Sequence, residues 1–183
     1  MAQQKVVIPI PKGYKPLERE AIAQEIVDFI VERTLKGKDK DNVNFKGYSR
    51  SYIKSLDFKI AGKSPSNVNL KLSGDMLASL KVLNTKRAGS VTVGFDASDT
   101  ENNGKAEGNI KGTYGSLKKT KKDPKTGLPV PRENKKRDFL GITKNDLDKK
   151  ILANYPLEDK KKLLEQALAV VAAAEKAKDL INE

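Results

Sequence analysis

The chain contains no cysteine and no histidine among its 183 residues. The lack of cysteine excludes disulfides, thiolate nucleophiles and cysteine-ligated zinc. The lack of histidine removes the side chain most often used as a metal ligand, general base or triad member. The sequence also lacks a phosphate-cradling glycine loop, a dinucleotide fingerprint and a cluster of metal ligands. It therefore predicts a protein that is not an enzyme and that uses no cofactor and no metal.

Apolar residues are scarce, at 37% of the chain, whereas charged residues make up 33%. This balance predicts one lean core and much surface that orders only against a partner. No apolar run approaches the roughly 20 residues of a membrane span, and the N-terminal stretch lacks the core of a signal peptide. We therefore expect a protein made in the cytoplasm that has no membrane partner.

Positive charge is concentrated in one segment. Residues 116–137 carry nine basic and two acidic side chains, which is +7 of the formal +12. Three prolines, one glycine and the absence of periodicity predict a long mobile loop. The basic residues of this loop, which we call the basic loop, are Lys118, Lys119, Lys121, Lys122, Lys125, Arg132, Lys135, Lys136 and Arg137.

The basic loop has three possible roles. Lysines that meet phosphates release counterions, so the loop can bind nucleic acid without sequence specificity. However, no aromatic residue stands between the lysines for base stacking. The alternatives are an arm that orders on an acidic protein surface or a neighbouring subunit, and a loop that is simply solvated.

The best-specified stretch covers residues 67–95. Alternating apolar residues at 68–72 predict a half-buried strand, and Ser73 can cap a short helix after it. Residues 80–84 and 90–95 then read as the two strands of an antiparallel hairpin. The residues expected inside are Met76, Leu77, Leu80, Val91, Val93 and Phe95, with Val82 facing them across the hairpin.

The N-terminal part predicts an extended segment followed by a helix. Two prolines within residues 6–11 predict an extended arm or an edge strand. Pro16 suits the first turn of a helix that continues to about Leu35 and ends at Gly37. Its apolar stripe consists of Ile22, Ile26, Phe29 and Ile30, supported by Leu17 and Val27.

The central segments are less regular. Residues 49–60 fit a helix capped by Ser49 with Ile53, Leu56 and Ile60 on one face, although a strand is the alternative. Residues 96–104 predict an acidic turn region, and 105–115 predict a helical turn or two weakened by glycines. The acidic side chains of this turn region, Asp96, Asp99 and Glu101, could hold a hard cation, but a solvated turn is favoured.

Apolar residues return after the basic loop. Residues 137–142 predict a strand that re-enters the sheet, with Phe139 and Leu140 in the core. Arg132 and Arg137 flank this strand and could pair with Asp96 or Asp99. Thr143 then caps a helix with Asp146 at its third position. That helix uses Leu147, Ile151 and Leu152 and ends before Pro156.

A last helix is predicted for residues 157–181. Its apolar residues follow the spacing of a narrow heptad seam, which can pack on the same domain or on another subunit or partner. The seam consists of Leu163, Ala167, Val170, Ala174, Ala177 and Ile181. The predicted fold class is α+β, with a small antiparallel sheet packed by N-terminal and central helices, a long basic loop and a long C-terminal helix. The predicted organisation is an extended arm at 1–15, a domain at 16–155 and the helix at 157–183.

Several short motifs occur in an order that resembles one known family. They are LSGDMLASL at 72–80, VTVGF at 91–95, a segment at 106–115 that ends near glycine, and RDFLGI at 137–142. In this order they resemble the virion-morphogenesis and tail-completion proteins of tailed bacteriophages. The resemblance covers roughly residues 49–153, and the long C-terminal helix extends beyond it.

The resemblance implies a structural α+β subunit that forms a homo-oligomeric ring of six or twelve copies at the phage neck or tail end. Such a ring completes or caps the tail, joins it to the head and contacts neighbouring connector, neck and tail proteins. It would be located in the virion, after assembly in the host cytoplasm, with DNA passing through its channel. The alternatives are a free nucleic-acid-binding protein that acts through the basic loop, and an assembly factor that leaves the finished particle.

Overall fold

The computed structural model describes residues 2–48, 50–66, 68–70, 75–112, 121–122, 129–130, 136–157, 165 and 168–170, and the structural statements below concern these residues. A three-stranded antiparallel sheet packs with several helices, so the fold class is α+β, as predicted. The sheet strands are β1 (Lys5–Pro9), β2 (Lys81–Asn84) and β3 (Ser90–Gly94). The helices are α1 (Pro16–Leu35), α2 (Arg50–Ile53), α3 (Leu56–Ile60), α4 (Asp75–Ala78), α5 (Thr100–Lys111) and α6 (Lys144–Asp146).

Strand β3 lies in the middle of the sheet, between β1 and β2. Its register with β1 places Ile8 opposite Val91, and its register with β2 places Val82 opposite Val93, with an irregularity before Asn84. The predicted hairpin is therefore confirmed. Of the two possibilities for the N-terminal segment, the edge strand is the one observed.

Helix α1 packs on β2 and β3 through its predicted apolar stripe. Ile22, Ile26 and Ile30 are completely buried, and Pro16 occupies the first helical position. Leu17 does not support the stripe as predicted, because it is 78% exposed. At 3.6 residues per turn, Leu17 lies on the side of the helix opposite the buried residues.

The helix predicted for residues 49–60 is found within the described residues 50–60 as two short helices, α2 and α3. The hydroxyl of Ser55 accepts a hydrogen bond from the backbone N–H of Phe58 at 3.2 Å and so caps α3. The predicted cap, Ser49, lies outside the described residues. The predicted apolar face is wrong, because Leu56 and Ile60 are exposed while Phe58 is buried. The new start at Ser55 sets the rotation of α3 and turns Phe58 toward the core.

The predicted strand before α4 is not found in its described part, residues 68–70. Val68 is buried without strand pairing, and the carbonyl of Asn69 accepts a hydrogen bond from the Tyr48 hydroxyl at 2.9 Å. The Tyr48 side chain therefore supplies the hydrogen-bond donor that a neighbouring strand was expected to supply to this backbone carbonyl. The predicted cap, Ser73, lies outside the described residues. The predicted apolar residues of α4 are buried.

Helix α5 begins within the stretch predicted to be a turn, so the prediction for residues 100–104 is wrong. The Asp99 carboxylate caps the helix by accepting from the backbone and side-chain N–H groups of Asn102, at 3.1 and 2.8 Å. Asn103 is buried and donates to the carbonyls of Asp96 and Asp99 at 2.6 and 2.8 Å. Its side-chain oxygen accepts from the Gln4 backbone at 2.6 Å. These side-chain bonds outweigh the poor helix propensity of the segment.

The segment after the basic loop crosses the core without joining the sheet. Phe139 and Leu140 are buried, as predicted, and the Phe139 ring packs edge-to-face on Phe95 with centroids 6.4 Å apart. The carbonyls of Phe139 and Gly141 accept hydrogen bonds from the Arg33 guanidinium at 2.7 and 2.9 Å. The predicted strand is therefore wrong, because a side chain supplies donors that a strand neighbour would have supplied.

The next helix agrees with the sequence prediction. The Thr143 hydroxyl accepts from the backbone N–H of Asp146 at 3.1 Å and caps α6. A π-helical turn at Leu147–Ile151 and a 3-10 turn at Leu152–Asn154 continue the chain, which leaves the helical conformation before Pro156. Leu147 and Ile151 are buried in the core.

Only parts of the predicted C-terminal helix are described, and Leu157, Glu165 and 168–170 are helical there. Val170 is 69% exposed. The other seam residues, Leu163, Ala167, Ala174, Ala177 and Ile181, lie outside the described residues. Among the described helices, none is long and apolar enough to cross a membrane.

Candidate functional site

Most of the basic loop lies outside the described residues. The basic residues not described are Lys118, Lys119, Lys125, Arg132 and Lys135. The backbone of Lys121 and Lys122 forms a short strand, β4 (Lys121–Lys122), which pairs antiparallel with β5 (Pro129–Val130). The prediction of a loop without regular structure is wrong at these positions. Proline and glycine between the two strands favour chain reversal, which brings them together.

Arg137 does not pair with the predicted acids. The Asp96 carboxylate lies 2.8 Å from the Lys81 ammonium, and Asp99 is engaged as the cap of α5. The Arg137 guanidinium carbon instead lies 5.6 Å from the centroid of the Tyr48 ring. For Arg137 the predicted pairing is wrong, because both acids already bind partners close to them in the fold. Arg132 lies outside the described residues.

Three aromatic rings pack together beside Arg137. The centroid of the Tyr48 ring lies 5.3 Å from that of Tyr52 and 5.3 Å from that of Phe58, and Tyr52 lies 5.4 Å from Phe58. Phe58 is buried, whereas the two tyrosines are half-buried. Tilted and edge-to-face contacts of this kind stabilise the ring orientations. The rings therefore form a firm support with a partly open surface.

A second cation lies on the same ring. The Lys63 ammonium is 5.2 Å from the Tyr48 centroid and donates to the Tyr48 hydroxyl at 3.3 Å. That hydroxyl donates in turn to the carbonyl of Asn69 at 2.9 Å. The two cations thus converge on one tyrosine. We call the group of Tyr48, Tyr52, Phe58, Lys63 and Arg137 the aromatic–cation cluster.

The electrostatics of this cluster are unbalanced. Burial and the nearby Arg137 charge lower the pKa of Lys63, and burial lowers the pKa of Arg137. Burial also raises the pKa of the Tyr48 hydroxyl, which therefore stays neutral. No carboxylate of the described residues forms an ion pair with either cation. The cluster holds two positive charges without a described counter-ion.

The Arg137 guanidinium also lacks hydrogen-bond acceptors within the described part of the chain. Its Nε atom is buried and has no hydrogen-bond partner. A buried N–H of a charged group without an acceptor destabilises the folded state. The arrangement is therefore complementary to an anion that brings acceptor oxygens.

The predicted acidic turn offers no comparable site. Across the described ranges, no group of three acidic side chains is placed to hold a metal ion. The hydrogen bond from Lys81, with further bonds from Ser98, holds the pKa of Asp96 well below its usual range. Glu101 pairs with Lys105 at 2.6 Å. These carboxylates stabilise the start of α5 and its surroundings.

Sequence reasoning missed the aromatic side of the cluster. Tyr48, Tyr52 and Lys63 precede the basic loop by more than 50 residues, so inspection of the loop alone finds no aromatic partner. The available signal was the pair of tyrosines four residues apart in an otherwise polar segment. Their partner in space, Arg137, is set by tertiary packing and not by sequence distance.

No family model, curated protein or solved structure matches this chain. The function must therefore be inferred from the residues and geometry described above.

Proposed function

We propose that this protein is a structural subunit of the phage neck or tail end, which forms a homo-oligomeric ring that completes or caps the tail and joins it to the head. The proposal rests on the resemblance described above and on one structural observation, the open outer edge of β1. In this role the protein catalyses no reaction. Its partners are other copies of itself and the neighbouring connector, neck and tail proteins of the virion.

The hydrogen-bond pattern defines which side of β1 is open. Ile10 donates to the carbonyl of Gly89, and the carbonyl of Gln4 accepts from Phe95, both at 3.0 Å. The even-numbered residues therefore bind β3, and the backbone groups of the odd-numbered residues point away from it. No strand of the described residues pairs with this outer side.

An unpaired strand edge is a template for pairing with another chain. Val7 lies at the centre of this edge and is 57% exposed, which adds an apolar contact to the free backbone groups. Addition of a strand from a neighbouring copy would satisfy these groups and bury Val7. A repeated contact between different surfaces of identical subunits generates a ring when the rotation closes.

The first experiment is the native mass of the purified protein by light scattering, at low and high salt. We expect a closed oligomer of six or twelve copies. The N–H group of Val7 points away from β3, so the variant Val7→Pro removes an outward donor but no hydrogen bond to β3. Proline is tolerated at such an edge position. We expect it to fold and to dissociate into monomers.

The matched control is Leu17→Lys, which changes an apolar residue that is 78% exposed on α1. This variant should keep the wild-type mass. A wild-type protein that stays monomeric at every concentration and salt would argue against the ring. A ring that survives Val7→Pro would show that the contact lies elsewhere on the subunit.

A second candidate function is nucleic-acid binding, and the aromatic–cation cluster at the end of the basic loop favours it. The cluster supplies aromatic surface beside the positive charge of the loop, a combination that suits polyanion binding. It predicts DNA affinity that falls steeply with salt. Absence of binding to DNA in low salt would eliminate this candidate.

A further inference from the structure

We propose that Lys63 and Arg137, which both lie against the Tyr48 ring, form a binding site for the phosphodiester groups of duplex DNA. This inference rests on the second candidate function for the class of partner. It goes further because it assigns the contact to two defined side chains outside the run of lysines.

The first reason is the convergence of charge. The Lys63 ammonium and the Arg137 guanidinium lie 5.2 and 5.6 Å from the centroid of the same ring. Two like charges held this close repel each other, and no described carboxylate separates them. An anionic group bound near both cations would reduce the repulsion, so the cluster favours an anion over a neutral ligand.

The second reason is hydrogen-bonding capacity. No described residue accepts a hydrogen bond from the Arg137 guanidinium, and its Nε atom is buried without a partner. Arg137 as a whole is half-buried, so part of this residue is accessible to a ligand. A guanidinium presents a planar fork of donors that matches two phosphate oxygens, and an ammonium adds a point charge beside it.

The third reason favours DNA over a single acidic side chain. Arg137 is the last residue of the basic loop, which carries a net charge of +7, and Lys136 beside it is exposed. Duplex DNA presents a negative charge about every 1.7 Å along its axis. A cluster followed in sequence by so many positive charges suits a repeating anion better than one carboxylate.

The fourth reason is rigidity. Tyr48 and Tyr52 pack on buried Phe58, and the Tyr48 hydroxyl is fixed by its bond to the Asn69 carbonyl. The cations are therefore supported by a surface that is already ordered. Such a site loses little conformational freedom on binding.

The test measures binding of a fluorescently labelled 20-base-pair duplex to the full chain by anisotropy, over a series of salt concentrations. The variants are Lys63→Met and Arg137→Met. The control is Lys36→Met, which removes the same charge from an exposed position at the end of α1, where Lys36 pairs with Glu32. The control is essential because any loss of charge weakens DNA binding by a basic protein.

We expect each cluster variant to weaken binding about tenfold at 50 mM salt and to reduce the salt slope by about 0.9, the value for one phosphate contact. Two duplexes of different sequence should be affected equally. Lys36→Met should stay within about twofold of the wild type, with an unchanged slope. The melting temperature of Arg137→Met without DNA should not fall, because the variant removes a donor that has no described acceptor.

The outcomes separate the inference from the function on which it rests. If the duplex binds and the cluster variants behave like Lys36→Met, the proposed site is wrong while nucleic-acid binding stands. If no duplex binds even at low salt, both are wrong. If a poly-glutamate peptide binds in an Arg137-dependent manner and the duplex does not, the site takes carboxylates of a protein partner and the proposal is overturned.

Discussion

The guanidinium of Arg33 donates a hydrogen bond of 2.7 Å to the backbone carbonyl of Phe139, 106 residues further along the chain. The same nitrogen donates to the carbonyl of Gly141 at 2.9 Å, and the other terminal nitrogen donates to that of Lys40 at 3.3 Å. Burial lowers the pKa of Arg33. One buried cation therefore ties the end of α1 to two irregular segments that have no strand partner.

Replacement of this cation should be strongly destabilising. In Arg33→Met the carbonyls of Phe139 and Gly141 lose donors in a buried environment, and hydrogen bonds to charged groups contribute about 1.5–3 kcal/mol each. We expect the free energy of unfolding to fall by about 3 kcal/mol or more in urea denaturation. Arg87→Met, at an exposed arginine, should change it by less than about 0.5 kcal/mol. Equal stability of the two variants would contradict the role given to Arg33.

The ring of Phe139 should contribute through packing. It is completely buried and contacts Phe95 edge-to-face at 6.4 Å. Phe139→Ala leaves a cavity beside that ring, so we expect a loss of about 3–5 kcal/mol, measured by denaturation. Phe139→Leu fills part of the space and should cost less. A wild-type melting temperature for Phe139→Ala would show that this segment is not part of the core.

Gly94 is required by the close approach of two strands. A Cβ atom at this position would lie 2.5 Å from the carbonyl oxygen of Gln4 and 2.7 Å from the Cα of Lys5. We therefore expect Gly94→Ala to displace β1 and to lower the free energy of unfolding by about 1–3 kcal/mol. Faster amide hydrogen exchange in β1 would locate the effect.

The control for this substitution is Gly47→Ala, because a Cβ atom on Gly47 meets nothing within 4 Å. Gly47→Ala should have nearly the wild-type stability. If both variants lose the same stability, the close contact between β1 and β3 is not the cause.

Asp146 should make stability depend on pH in the acidic range. Its buried carboxylate lies 2.9 Å from the Lys150 ammonium and accepts hydrogen bonds from Asn42 at 2.6 Å and Thr143 at 2.8 Å. Burial raises the pKa of Asp146, but these partners lower it by a larger amount. The resulting pKa is about 2, compared with the usual value of 3.8. The folded state thus binds the proton more weakly than the unfolded state.

The lowered pKa of Asp146 stabilises the folded state above about pH 4, and this stabilisation is lost as the pH falls toward 2. We expect Asp146→Asn to be less stable than the wild type by about 2 kcal/mol at pH 7, with the gap closing between about pH 4 and 2. Urea denaturation at several pH values measures the gap. The control for removal of a carboxylate is Asp148→Asn, at an exposed neighbouring position.

The sequence predicted elements whose signals are local. The stripe of Ile22, Ile26 and Ile30 in α1 and the alternation of Val91 and Val93 in β3 follow periods of the backbone itself, so a few residues suffice to identify them. The cap at Thr143 is equally local, because donor and acceptor lie three residues apart.

Two of the elements that the sequence mispredicted depend on distant side chains. Arg33 replaces a strand partner for Phe139, and the Tyr48 hydroxyl replaces one for the carbonyl of Asn69. The same limit applies to the aromatic–cation cluster, where Arg137 meets Tyr48 only through tertiary packing. The sequence around Arg137 or Tyr48 contains no pattern that predicts their contact.

The pairing of β1 with β3 has a consequence for synthesis of the chain. Residues 5–9 leave the ribosome before their strand partner at 90–94, which follows more than 80 residues later. Until then β1 cannot complete the sheet, and its apolar residues, among them Ile8, remain without their partners. Strand pairing over such a separation is slow because a long loop must close first. Strand β1 is thus made well before β3, yet it is among the last parts of the sheet to fold.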